Sequence, residues 1–412
     1  MTLDYRLGNA RIVDGTGAPW FRGSIGIRDG RIAGVYRGDA PSTGEVIDID
    51  GQVVCPGFID THSHSDLQLF DDPTLEPKLR QGITTEILGQ DGFSMAPMHR
   101  EGGAEEWATQ LGALAGHVDK EWTWGSVSEY FDAVEGAGVS PNVALLVGHG
   151  TVRFNVMGMS DAEPTDEELE QMCELIREGL DDGAVGFSTG LIYTPCIYAS
   201  TVEVSALAKP LASYGRPFVA HIRSEGRWIW EALDEFIDIG AKHKIPLHLS
   251  HYKLAGTTQQ GHVDRSNALL RTARERGVDL TVEQYPYTAG STMLSAALPP
   301  WVHAEGPDRM KELLDDPEVR GRIRRDIEEW RLDDWENIAG LAGWNSVVVT
   351  SVQSEENRHL EGKSIADIAA STDRSPIDVV CDVLVREDLA VSIRIHMMDD
   401  DDVASILSTD LV

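Results

Sequence analysis

The stretch PFVAHIRSEGRWIWEALDEFIDIGAKHKIPLHLSHYK, residues 217–253, decides how this chain is read. An apolar run, PFVAHI, leads into a charge-rich, helix-like segment and then into a second apolar run, PLHLSHY. Near-continuous apolar strands alternating with helices imply parallel strands buried on both faces. The same alternation continues outward, with VVCPGFIDTH, TTEILG, NVALLVGHG and AVGFST before it and DLTVEQYPY after it. That makes seven strands. His221 and His251 lie 30 residues apart and Tyr285 follows 34 later, close to the roughly 30 residues per unit of a (β/α)8 barrel. An open doubly wound sheet is the other arrangement, but no Gly-rich phosphate fingerprint follows the first strand. The expected fold is α/β, a (β/α)8 TIM-like barrel.

The flanks have a different rhythm. Residues 1–54 alternate short β-like runs with Gly/Asp turns (ARIVDGTG, GSIGIRDGRIAGV, GEVIDIDGQVV), and RDG between such runs is a hairpin signal. They read as a small N-terminal β-domain too short to bury a core alone, with the barrel over 55–412. Residues 98–141, which hold Trp107, Trp122 and Trp124, and residues 298–390 space the strands too widely. Both read as helical insertions near the barrel rim. DEELEQMCELIREGLDDG, residues 166–183, has helical apolar spacing and a Gly stop, and is scaffold.

Composition excludes several functions. Among 412 residues, 68 acidic against 35 basic side chains give a net charge of −33, which repels nucleic acid and anionic membrane surfaces. No run of eighteen apolar residues suggests a membrane span, and the start MTLDYRLGNARIVDG has no signal-peptide pattern. Cys55, Cys173, Cys196 and Cys381 are scattered without a CxxC pair, so a cysteine zinc site or disulfide framework is not expected. The cytoplasm is the expected compartment. Oligomeric state is not legible.

DTHSHSD ends the first strand and places His62 and His64 two apart. On a strand that spacing points both imidazoles to one face, and the carboxyl ends of barrel strands form the active-site mouth. His221 and His251 end two further strands, where a buried imidazole needs a partner. His248, three before His251, is expected on the other face; His149, ending NVALLVGHG, is either structural or substrate-facing; His262 is surface. Asp91 stands in GQDGFSMAP between Gly89 and Gly92, at the end of the second strand. A solvated turn is the simple reading. Among four neutral imidazoles, however, a carboxylate could bind one divalent ion or bridge two.

These residues resemble the amidohydrolase superfamily, and within it the N-acyl-D-amino-acid deacylases (D-aminoacylases). The resemblance rests on CPGFIDTHSHSD, GITTEILGQDGFSMAP, GAVGFSTGLIYTP, HIRSEG, SHYK and YPYTAGSTML, in family order from about residue 7 to 295. It implies a distorted barrel with a small β-domain from both chain ends, and zinc-dependent hydrolysis of N-acyl-D-amino acids, with one or two Zn2+ or another divalent metal. His62, His64, His221 and His251 match metal ligands, Lys253 a group that binds the substrate α-carboxylate, and Tyr285 or Tyr287 a phenolic helper. Tyr193 and Ser291 are further substrate-contact candidates, and Arg223 and Glu225 an expected pair beside the site. No arginine occurs between Arg276 and Arg309, which favours neutral or hydrophobic D-amino acids. The chain departs from the pattern twice. Asp91 replaces the usual Cys (GNCG against GQDG), and a carboxylate is harder than a thiolate. The general-base Asp of a G-[ST]-D-G motif is expected beyond Val412, as are the eighth strand and the returning half of the β-domain; Asp410 is not given that role. A cyclic amidohydrolase of the hydantoinase type would need a Lys that AVGFSTGL lacks, and a non-catalytic relative is the other alternative.

Overall fold

The structure is a computed structural model that describes residues 2–40, 44–115, 122–332 and 335–412. Parts of both expected insertions, residues 116–121 and 333–334, therefore lie outside the described residues. The chain divides into a small compact unit, Met1–Ile59 with Lys78–Thr85, and a large one, Asp60–Pro77 with Glu86–Val412.

In the small unit, β1 (Tyr5–Ile12), β2 (Phe21–Arg28), β3 (Arg31–Arg37), β4 (Glu45–Asp48) and β5 (Val53–Val54) form one sheet in the order β3-β2-β1-β4, with β5 also on β1. The RDG sequence turns the β2–β3 hairpin. Asp29 and Gly30 take φ of 53° and 69°, consecutive left-handed residues whose twist matches that of antiparallel strands. Few side chains are fully buried; Ala10, Ile12 and Ile25 form the cluster.

The alternating runs form a second sheet. Among the described residues it contains β6 (Phe58–Asp60), β7 (Ile83–Leu88), β8 (Asn142–Gly148), β9 (Gly186–Gly190), β10 (Phe218–His221), β11 (Leu247–Leu249) and β12 (Leu280–Val282) in strict chain order. Pairings from β8 to β12 are parallel. Val147, Phe187, Phe218, Leu247 and Leu280 stand in register across five strands, and all are buried. Phe187 stacks on Phe218 with ring centroids 5.8 Å apart, and burial of each such side chain contributes about 1.5–3 kcal/mol. Strand β9 is buried at every position, which is why its sequence shows no in-out alternation.

Helices fill the connections. The scaffold helix spans Asp166–Asp181: Thr165 and Glu168 make a reciprocal capping box, and Met172, Cys173, Ile176 and Leu180 are buried along one face. Gly183, at φ 109°, ends it. The first insertion supplies helices Gly103–Ala115 and Val127–Ala137. The second is not purely helical. It contributes β14 (Val347–Ser351), which with β13 (Ala289–Met293) and β15 (Ser392–His396) makes an antiparallel sheet in the order β13-β15-β14. Val347, Val349, Ile393 and Ile395 turn to a separate core completed by helices such as Pro376–Arg386. SIRIH alternates in burial along its length, as a strand with one covered face does, whereas VVVTS is a β-branched apolar run that turns polar at its end. Among the described residues, no helix is long and apolar enough to cross a membrane.

Candidate metal centre

The histidines converge, but mostly from turns just beyond the strands. Strand β6 ends at Asp60, so His62 and His64 sit in the following loop, with their Nε2 atoms 3.3 Å apart. Two nitrogens bound to one tetrahedral zinc at about 2.0–2.1 Å lie about 3.3 Å from each other. His221 is the last residue of β10. His251 lies two past β11 in a left-handed backbone conformation, φ 33°.

Asp91 occupies a short turn after β7 in which Gly89, Asp91 and Gly92 all have positive φ (72°, 55° and 81°). Asp tolerates this region better than most residues. The turn is pinned from three sides. Asp66 accepts the Gly89 N–H at 3.0 Å, Gln90 donates to the Thr61 carbonyl at 2.7 Å, and Ser188 on β9 donates to the Gly89 carbonyl while accepting the Gly92 N–H. Gly190 permits the close approach of β9, since a Cβ there would sit 2.3 Å from the Asp91 carbonyl oxygen.

The carboxylate of Asp91 is divided between two imidazole pairs. Oδ2 lies 3.5 Å from His62 Nε2 and 3.4 Å from His64 Nε2. Oδ1 lies 3.4 Å from His251 Nε2 and 4.0 Å from His221 Nδ1. Two donor trios result, His62–His64–Asp91 and Asp91–His221–His251, with the ligand atoms of each within 4.8 Å of one another. Asp91 is 3% exposed, yet Asp91 Oδ1 and both ring nitrogens of His221 have no hydrogen-bond partner among the described residues. Buried polar atoms without partners are costly, and divalent ions would satisfy them. The donor set fits.

Electrostatics agree. Burial drives His221 down to about 3. It also acts downward on His62, but Asp91 and Glu283 outweigh it and raise that imidazole to about 10. Burial would raise Asp91; His62 and His251 instead hold it well below the usual carboxylate range. One proton on His62 thus does the charge balancing that a cation would do, and cation binding at Nε2 would release it.

Around the trios, Lys253 is buried at 3% exposure, its Nζ on Glu225 Oε1 and 2.8 Å from His251 Nδ1. Tyr285 faces it, with Nζ 5.6 Å from the ring centroid. Tyr193 packs edge-on to His221 and hydrogen-bonds Thr292 at 2.9 Å. Tyr287 stacks on Tyr285 but is 66% exposed, and Ser291 faces outward on β13 beside the inward Thr292. Arg223 does not pair with Glu225. It clamps Glu235 through two hydrogen bonds of 2.9 and 3.0 Å, because Glu225 turns inward to Lys253. His149 is fully buried between Thr189 and Glu203, and Asp410 is a surface partner of Arg271.

Two acidic residues escaped the sequence reading. Glu283, just past β12, bonds His62; its position at the carboxyl end of a strand was the available signal. Glu336, from the second insertion, is buried near Ser224 and Glu225 and left no local signal. Burial, reinforced by Glu225 and offset in part by Ser224, raises Glu336 to about 7. A carboxyl whose folded pKa is raised contributes stability at low pH that is lost as pH climbs from its unfolded value through the folded one. Glu336→Gln is therefore expected to leave the melting temperature unchanged at pH 4 and to stabilise at pH 8 by up to about 3 kcal/mol. Melting curves at both pH values check this.

Comparison with known proteins decides the lineage. Residues 45–315 match the amidohydrolase family. The chain is 33% identical over 369 residues to an N-acyl-D-aspartate deacylase of Alcaligenes xylosoxydans xylosoxydans, covering 86% of this chain and 70% of that protein. It belongs to the amidohydrolase family. A D-aminoacylase of the same organism is 34% identical over 293 residues, 71% of this chain and 59% of the relative, so the match spans under two thirds of that protein's length. Among solved structures, an N-acyl-D-glutamate deacylase from Bordetella bronchiseptica, complexed with zinc and a phosphonate inhibitor, superposes with a TM-score of 0.80 at 30% identity, covering all of this chain and 75% of that one. A D-aminoacylase structure gives 0.77 at 31%. This amidohydrolase thus has the barrel-type α/β fold of its D-aminoacylase relatives.

Proposed function

We propose that this amidohydrolase is a metal-dependent deacylase that hydrolyses the amide bond of N-acyl-D-amino acids to a carboxylate and a D-amino acid. The observation that carries the reading is the division of Asp91, one oxygen to each imidazole pair. His62, His64 and Asp91 would hold one divalent ion and Asp91, His221 and His251 a second, zinc being suited to imidazole and carboxylate donors. A bound ion supplies Lewis acidity toward a carbonyl oxygen and acidifies water.

The chain's own residues do the rest. Lys253 is the cation available to an α-carboxylate, and its ammonium would exchange Glu225 for the substrate. Burial raises the phenols of Tyr193 and Tyr285 above their usual value, which keeps both protonated as hydrogen-bond donors beside the centre. No G-[ST]-D-G motif occurs in the 412 residues, and no residue here is assigned the proton transfer. The absence of arginine between Arg276 and Arg309 supports a neutral or hydrophobic side chain. Strand β9, GFSTG, holds no lysine to be carboxylated, which counts against a cyclic amidohydrolase.

Metal analysis coupled to assays on N-acetyl-D- and N-acetyl-L-amino acids tests the proposal. Bound divalent metal with hydrolysis of the D series is expected. Turnover of hydantoins alone would overturn it, and metal-bound inertness toward both series would favour the non-catalytic relative.

A further inference from the structure

The carboxylate of Glu283 receives donors from two directions. Its Oε2 accepts the Thr61 hydroxyl at 2.6 Å. Its Oε1 lies 2.6 Å from His62 Nδ1 and accepts the His251 backbone N–H at 3.2 Å. His248 Nε2 stands 3.6 Å from Oε2. An ionised carboxylate can only accept, so the proton in the short contact to His62 is on Nδ1. A side chain from just past β12 thus touches the imidazole of one donor trio and the backbone of a ligand in the other.

Each contact has a consequence for ligand geometry. Because Glu283 engages Nδ1, the ring of His62 is oriented with Nε2 toward His64 Nε2 and Asp91 Oδ2, the side on which an ion would sit. His251 has φ of 33°, a left-handed value uncommon for a residue with a side chain, and the bond from its N–H to Glu283 supports that turn. The second trio has its own carboxylate behind it, since Glu225 Oε1 lies 3.0 Å from His251 Nδ1. The two acids therefore back different imidazoles.

We infer that Glu283 is a positioning residue of the metal centre, which orients His62 for the His62–His64–Asp91 site and so sets the affinity of that site more than that of its neighbour. The inference rests on the metal-centre reading above. Outer partners of metal-bound histidine commonly control affinity by about 10- to 100-fold, and removal of the negative charge from Glu283 weakens the hold on Nδ1–H while preserving side-chain volume.

The test is a chelator-competition titration of the full chain with zinc, and with cobalt(II) as a spectroscopic probe, for the parent, Glu283→Gln and Thr61→Val. Melting curves of the metal-free proteins are recorded alongside. For Glu283→Gln, one metal equivalent is expected to loosen by about 10- to 100-fold, the other to change by less than about threefold, and the metal-free melting temperature to stay within a few degrees of the parent. Thr61→Val, which removes only the hydroxyl contact, is expected to keep parental affinities. Unchanged affinities in Glu283→Gln would overturn the inference, as would equal loosening in both variants, which would make Glu283 a brace between chain segments. If Glu283→Gln does not fold, Glu283→Asp, one methylene too short to keep the contact, is measured in its place with the same expected loosening. A parent chain that binds neither ion would instead refute the metal-centre reading itself.

Discussion

Asp91→Ala is expected to empty both metal positions and to remove metal-dependent hydrolysis. Asp91 is the only residue common to the two donor trios, one oxygen facing His62 and His64 and the other His221 and His251. Without it each position retains two neutral imidazoles, and nothing anionic separates two dications. Alanine also loses conformationally: Asp91 sits at φ 55° and ψ 26°, where an ordinary L-residue costs about 1–2 kcal/mol. Asp91→Asn separates the two effects, because asparagine tolerates the left-handed region but carries no charge. It is expected to fold like the parent and still to lose metal, as read by elemental analysis after gel filtration. Asp91→Cys, which introduces the thiolate expected from the family resemblance, should retain metal and shift preference toward softer ions. Full metal content in Asp91→Asn would return Asp91 to the status of a turn residue.

Lys253→Met is expected to damage both stability and turnover, and the two can be separated. Lys253 is the ammonium partner of Glu225, and both are almost fully buried. Removing the ammonium leaves a buried carboxylate whose remaining ion-pair contacts, among the described residues, are to two imidazoles, His251 Nδ1 at 3.0 Å and His221 Nε2 at 3.7 Å. Breaking a buried pair on one side costs about 3–5 kcal/mol, whereas replacing both charges with neutral groups of similar volume is far milder. The double variant Lys253→Met with Glu225→Gln should therefore recover most of the denaturant midpoint lost by the single change. Hydrolysis should not recover. If Lys253 receives the substrate carboxylate as proposed, its loss should remain as a large fall in kcat/KM, carried largely by KM. A double variant as active as the parent would show that Lys253 serves only as the counter-ion of Glu225.

Much of this was legible locally. Seven apolar runs became seven strands in chain order, because a strand buried on both faces must be apolar at nearly every position. Helical apolar spacing and a Gly stop marked the scaffold helix, because both are short-range signals fully present in the sequence. The candidate donor residues were also readable, although the reason they gather was partly different. His62, His64 and His251 meet the centre from turns beyond their strands, so strand periodicity was not what aimed them. VVVTS lay inside a stretch read as helical, and its antiparallel pairing with SIRIH spans many residues and is settled only when the chain closes that loop.

The sequence by itself determined the alternation of strand and helix, the residues able to bind metal, and the end of the sheet at which they gather. Hydrophobic period, capping and donor chemistry act over a few residues and are written in local order. Only the tertiary structure decided that Asp91 divides its two oxygens, that Lys253 and Glu225 are partners, and that Glu283 stands behind His62 across 221 positions of chain. These are contacts between distant segments. Their geometry follows from the way a curled parallel sheet brings the ends of its strands to one place.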